Sequence, residues 1–181
     1  MKYLKEAIRV VEQDLIKLDR CLPGNVPTPL ASGYRPELDV SAILDDDFTN
    51  WYQRLIGILW WAVELGRIDI HFSVAIMAQY LAQPRAGHLE QVFHLFAYLK
   101  THTRSCIILD DSRPQVDESR FIQADWTAFH PEAAEAIPLN APETCGESII
   151  ISCFFVADHA GNRVTRRSHS GILLFCNHAP I

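Results

Sequence analysis

No apolar run in this chain approaches the ~20 residues that a membrane-spanning helix needs, and its opening residues, MKYLKE, lack the apolar core of a secretory signal. No membrane partner is therefore expected. There is no Cys-x-x-Cys pair. The five cysteines (Cys21, Cys106, Cys145, Cys153, Cys176) are odd in number and scattered, which excludes a disulfide framework or a zinc knuckle and fits a reducing intracellular compartment, cytoplasm or nucleus. A glycine-rich phosphate loop, a Ser–His–Asp pattern and a Cys–His signature are also missing. Basic residues are scarce: 16 Lys and Arg against 22 Asp and Glu give a net charge of −6, unlike a basic protein that coats nucleic acid.

What is present is ordinary for a globular chain. With 181 residues, 49% hydrophobic and 21% charged, the chain is long enough to bury a core without staples, as one domain or two small ones. Charge is unevenly spread. Residues 110–147 hold nine acidic and two basic residues, so the remainder is nearly balanced. Any affinity for nucleic acid has to come from local patches.

Leu4, Ile8, Val11, Leu15 and Leu18 step by four and three, the stripe of an amphipathic helix. Pro23, Pro27, Pro29 and Pro36, with Gly24 and Gly33, then impose an extended connector. Asp45, Asp46 and Asp47 read as an N-cap and an acidic first turn rather than a magnesium site, because a helical run follows them and not a strand turn. That run, 52–65, is apolar nearly all round and should be central to the core. Gly66 is its expected C-terminal stop. Further helices are predicted at about 70–82, ending before Pro84, and about 87–101. Residues 106–109 read as a short strand.

The acidic stretch carries Pro114, Pro131, Pro138 and Pro142, with one short helix predicted at about 125–136. Beyond it, 148–156 (SIIISCFFV) and 171–176 (GILLFC) read as buried-type strands joined by a hairpin connection. The chain thus divides into 1–109, mostly helical; 110–147, an acidic connection; and 148–181, a β-hairpin module. The fold class is α+β.

Six blocks along this order, TPLASGYRPELDVS (28–41), YQRLIGILWWAVELGRIDI (52–70), PRAGHLEQVFHLFAYLK (84–100), DESRF (117–121), AIPLNAPE (136–143) and ADHAGNRVTRRSHSG (157–171), resemble a copia-type retrotransposon polyprotein. The resemblance falls after the reverse transcriptase catalytic core and runs into the RNase H domain. It implies a thumb- or connection-like helical module followed by the truncated start of an RNase H-like fold. In the intact family the activities are RNA-directed DNA polymerase and RNase H, the latter using Mg2+ to cut RNA in an RNA–DNA hybrid. The polymerase aspartates of the family have no counterpart here, and the remaining RNase H carboxylates would lie beyond Ile181. At the first RNase H metal-ligand position the family has aspartate where this chain has Val156. Valine offers no oxygen to a hard cation. Asp158, the residual candidate, is displaced by about 6–7 Å along a strand, more than the ~3.5–4 Å between paired metals. The expectation is a catalytically inactive fragment with no bound cofactor.

Arg163, Arg166, Arg167 and His169 cluster in the hairpin connection, where guanidinium groups suit phosphate contact and the competing reading is a solvated basic loop. Of the eight histidines, His88 and His94 are six apart and miss the spacing of a helical zinc pair, so packing or surface roles are expected. Trp51, Tyr52, Trp60 and Trp61 are read as core residues rather than base-stacking ones. The expected partners are an RNA–DNA hybrid or the rest of the polyprotein. The alternative is a helical interaction module that self-associates through an exposed strand edge at 149–156. A magnesium nuclease built on Asp158 is the remaining possibility.

Overall fold

The computed structural model describes residues 2–105, 107–115, 117–120, 128–129, 138–143, 145–146 and 148–181. Among the described residues four α-helices, α1 (Lys2–Lys17), α2 (Asp46–Glu64), α3 (His71–Ala78) and α4 (Ala86–Thr101), precede a small antiparallel sheet of order β1-β2-β3. Its strands are β1 (Ile151–Ala157), β2 (Ser170–Cys176) and β3 (Ala179–Pro180). The class is α+β. The chain divides into two compact units: residues 1–107 with 157–169, and 108–156 with 170–181.

In the first unit, α1 buries Leu4, Ala7, Ile8, Val11 and Leu15. Leu18 lies past the helix end and is exposed, because Asp19 turns left-handed (φ +55°) and the Arg20 amide bonds back to the Leu15 carbonyl. Helix α2 starts as its aspartates require: the Asp45 side chain accepts the Phe48 amide at 2.9 Å, with Asp46 and Asp47 in the first turn. It stops at Gly66 (φ +103°), whose amide reaches the Val63 carbonyl while that of Arg67 reaches Ala62. The near all-round burial expected of α2 is confined to one face. Tyr52, Leu55, Ile56, Leu59, Ala62 and Val63 are buried, while Trp61 and Leu65 are exposed. The Tyr52 hydroxyl donates to the Met77 carbonyl at 2.7 Å within the core.

Helix α3 is shorter than its apolar pattern suggests. The chain enters it through a 3-10 turn (Ile68–Ile70) and leaves it through tight turns from Gln79 to Gln83 before Pro84. Helix α4 buries the expected Leu89, Val92, Phe93, Phe96 and Leu99, and also His88 and Leu95. The strand expected at 106–109 is not formed at 107–109: Ile108 and Leu109 are exposed and no strand pairs with them among the described residues.

The connector between α1 and α2 runs antiparallel to α4, and α4 side chains satisfy its backbone. Pro36 and Thr28 carbonyls meet His88 and His94 Nε2 (3.0 Å each), the Ala31 amide donates to Gln91 (3.0 Å), and the Val26 carbonyl meets His102 just beyond the helix (3.3 Å). Beside this row the Asp39 carboxylate accepts the Tyr34 hydroxyl, the Ser41 hydroxyl and the Ser41 amide, and the Ser41 hydroxyl accepts the Gly87 amide. A Cβ at Gly87 would overlap the Asp39 carboxylate, so only glycine fits this close approach.

In the second unit, β1 is an edge strand and β2 pairs antiparallel with β3, placing Phe175 opposite Pro180 and Cys176 opposite Ala179. Strand β3 escaped the sequence reading because it is two residues long. Asn177 (φ +54°) makes the turn before it, accepts the Ile150 amide through Oδ1 and donates Nδ2 to the Asp111 carbonyl, both at 2.9 Å. The strands expected to be buried are largely exposed, with Phe155 and Val156 among the open side chains. The helix expected at 125–136 lies outside the described residues, apart from 128 and 129.

His88 offers a pH test. Its Nδ1 accepts the Arg85 amide at 3.1 Å and its Nε2 donates to Pro36, which requires the neutral ring. Burial, outweighing the favourable Pro36 and Asp39 contacts, pushes its pKa below the ordinary 6.5. The unfolded chain therefore binds the proton first. The stabilisation is complete above about pH 6.5 and is lost as the pH falls through the lower folded value. Urea midpoints should drop between pH 7.5 and 5. In His88→Phe that dependence should flatten, and stability should be lower by about 2–3 kcal/mol through two orphaned backbone groups.

Candidate nucleic-acid interface

The connection between β1 and β2 closes on Asp158. Its amide donates to the His169 carbonyl at 3.0 Å, while its carboxylate accepts the His169 amide and lies 3.1 Å from His169 Nδ1. The His169 amide foremost, helped against desolvation by the imidazole and the Gly161 amide, holds this carboxyl below the usual range. A Cβ at Gly161 would overlap the same carboxylate. Inside the closure Asn162 builds a tight turn: Oδ1 accepts the Val164 and Thr165 amides at 3.0 and 2.8 Å, and its carbonyl accepts the Arg166 amide at 2.9 Å. Arg166 itself is left-handed (φ +57°).

This geometry separates the four expected contact residues. Arg163, Arg166 and Arg167 are exposed, and none forms a salt bridge among the described residues. His169 is half-buried and turned toward Asp158. A fourth cation joins from the connector: Arg35 Nη1 donates to the Gly161 carbonyl at 3.4 Å, and the Arg163 amide donates to Glu37, also at 3.4 Å. Arg35 is 126 residues away in sequence from Gly161, so no local spacing reveals it.

Three exposed guanidinium groups on one tight turn can contact successive phosphates of a nucleic-acid backbone. The residues present do not fit a two-magnesium centre. Val156 supplies no ligand oxygen, the Asp158 carboxylate is engaged in closing the loop, and no group of three metal-ligating side chains gathers among the described residues. The aromatic residues of α2 divide. Tyr52 is fully buried and Trp51 packs on Phe48 and Phe93, whereas Trp60 meets His71 edge-on and Trp61 is exposed.

Over 103 residues, 57% of this chain, the sequence is 32% identical to a Saccharomyces cerevisiae (strain ATCC 204508 / S288c) protein named "Putative transposon Ty5-1 protein YCL074W". The matched stretch covers 32% of that protein, so the chain spans about a third of the length of the curated relative it matches. The chain is thus similar in sequence to part of a transposon protein. No protein-family model matches it. No solved structure matches it.

Closure by the ionised Asp158 has a measurable consequence. In Asp158→Ala the His169 amide should exchange with deuterium roughly tenfold faster, since it loses a charged acceptor. In the unsubstituted chain the same loosening should appear only as the pH falls below the ordinary carboxylate range and through the lower folded value. Unchanged exchange in the variant would mean that Asp158 does not hold the loop.

Proposed function

We propose that this chain is a piece of a copia-type retrotransposon reverse transcriptase/RNase H polyprotein that performs no chemistry by itself and contacts the backbone of an RNA–DNA hybrid through its arginine loop. The helical unit is read as thumb- or connection-like, and the strand pair as the start of an RNase H-like fold. One observation carries the reading: Arg163, Arg166 and Arg167 project from a rigidly bonded turn without salt bridges among the described residues. The similarity to a transposon protein and the six ordered sequence blocks support it. With net charge −6, affinity rests on this patch alone and is weak and salt-sensitive. Fluorescence anisotropy with a labelled hybrid should give a log–log salt slope of about −2 to −3. Arg166→Ala/Arg167→Ala should reduce that slope by about 2. Binding insensitive to salt, or untouched by the double substitution, would refute the reading.

A second reading, self-association without nucleic acid, is favoured by the sheet itself. Strand β1 is an edge, with Ile151, Phe154, Phe155 and Val156 all exposed. Unpaired backbone groups beside apolar side chains invite pairing with another copy. Sedimentation velocity should then show a size that grows with concentration, reduced in Phe155→Lys. A monomer at every concentration removes this alternative.

A further inference from the structure

A cleft of about 310 Å³ lies beside the arginine loop within the first unit, between the connector, α3 and residues 158–169. Building on the proposed hybrid contact, we infer that this cleft receives a single unpaired nucleotide of a nucleic-acid strand, its base inside and its phosphate at the loop. The aromatic wall is Phe72, Tyr34 and Tyr80. Phe72 is a large apolar side chain left 65% exposed on α3, where it contributes little to the core. Tyr80 is fixed against the His88 ring with centroids 4.1 Å apart, and Tyr34 is fixed by its bond to Asp39. Aromatic rings at the mouth of a cleft beside an arginine loop form a platform on which any base can stack.

The polar wall also suits a base. Asn162 spends Oδ1 on its own turn, which leaves Nδ2 without an acceptor among the described residues. His169 spends Nδ1 on Asp158, which leaves Nε2 likewise without a partner there. A few convergent polar groups in a largely apolar recess are the usual makeup of a small-ligand site, and this volume is at the lower end of that range, enough for one base and not a stack. The two carboxylates at the cleft are already engaged, Glu37 by the Arg163 amide and Asp158 by His169. Their charge is offset by Arg35, whose guanidinium bridges the connector to Gly161. Stacking supplies affinity without sequence preference, and the adjacent arginines supply the phosphate contact.

The test uses the full chain and two labelled RNA–DNA hybrids, one blunt and one with a short single-stranded tail, compared by anisotropy at low salt. The tailed probe should bind about tenfold tighter. In Phe72→Ala the ratio of the two affinities should fall toward one, and in Phe72→Tyr it should be kept. Equal binding of both probes by the unsubstituted chain overturns the cleft while leaving the loop contact standing. A tail preference that survives Phe72→Ala also overturns it. Failure to bind either probe overturns both the cleft and the loop.

Discussion

Residues 18–45 include one short 3-10 turn and no longer helix or strand, yet they lie against the helical core. A connector of that kind is stable only if its amides and carbonyls find partners, because a buried unpaired backbone group costs about 1–3 kcal/mol. Helix α4 provides those partners from one face: His88, Gln91 and His94, with His102 just past its end. The proline content of the connector makes this arrangement necessary. Prolines bar the segment from helix and reduce its donors, so side chains of a neighbouring helix have to read its carbonyls. His88, His94 and His102 act as hydrogen-bonding partners of the chain that crosses them.

The arginine loop depends on the same connector. Arg35 and Glu37 flank Pro36, whose carbonyl is held by His88, and these two residues meet Gly161 and Arg163. His88 and Gly87 are thereby joined by hydrogen bonds to the connector, residues 35–41, that meets the base of the loop. Asp39 is the second anchor. Burial raises its carboxyl, but the Ser41 and Tyr34 hydrogen bonds outweigh that and hold it below the usual range, so it stays ionised beside the first turn of α4, where negative charge is favoured.

The sequence was most informative where local chemistry decides the outcome. The i, i+3/i+4 stripe of α1, the Asp45 cap and the Gly66 stop each involve residues within a turn of one another. It was least informative where partners are remote. The bonds from His88 to Pro36 and from Arg35 to Gly161 leave no periodic trace. Apolar content also misled in two places. The run 52–65 is apolar enough for complete burial, yet the neighbouring helices cover only one face and leave Trp61 open. Ile108 and Leu109 have β-branched and apolar character but no strand to pair with among the described residues, and propensity without a partner does not make a strand.

The block ADHAG shows what folding alone asks of this loop. Asp158 and Gly161 are jointly required by the loop, since the carboxylate receives the His169 and Gly161 amides and only a residue without Cβ leaves it room. Val156 is under no such constraint. It stands on an exposed strand beside Gly171. The part of the block that shapes the turn is therefore fixed by the loop's own hydrogen bonds, to which Val156 contributes none among the described residues.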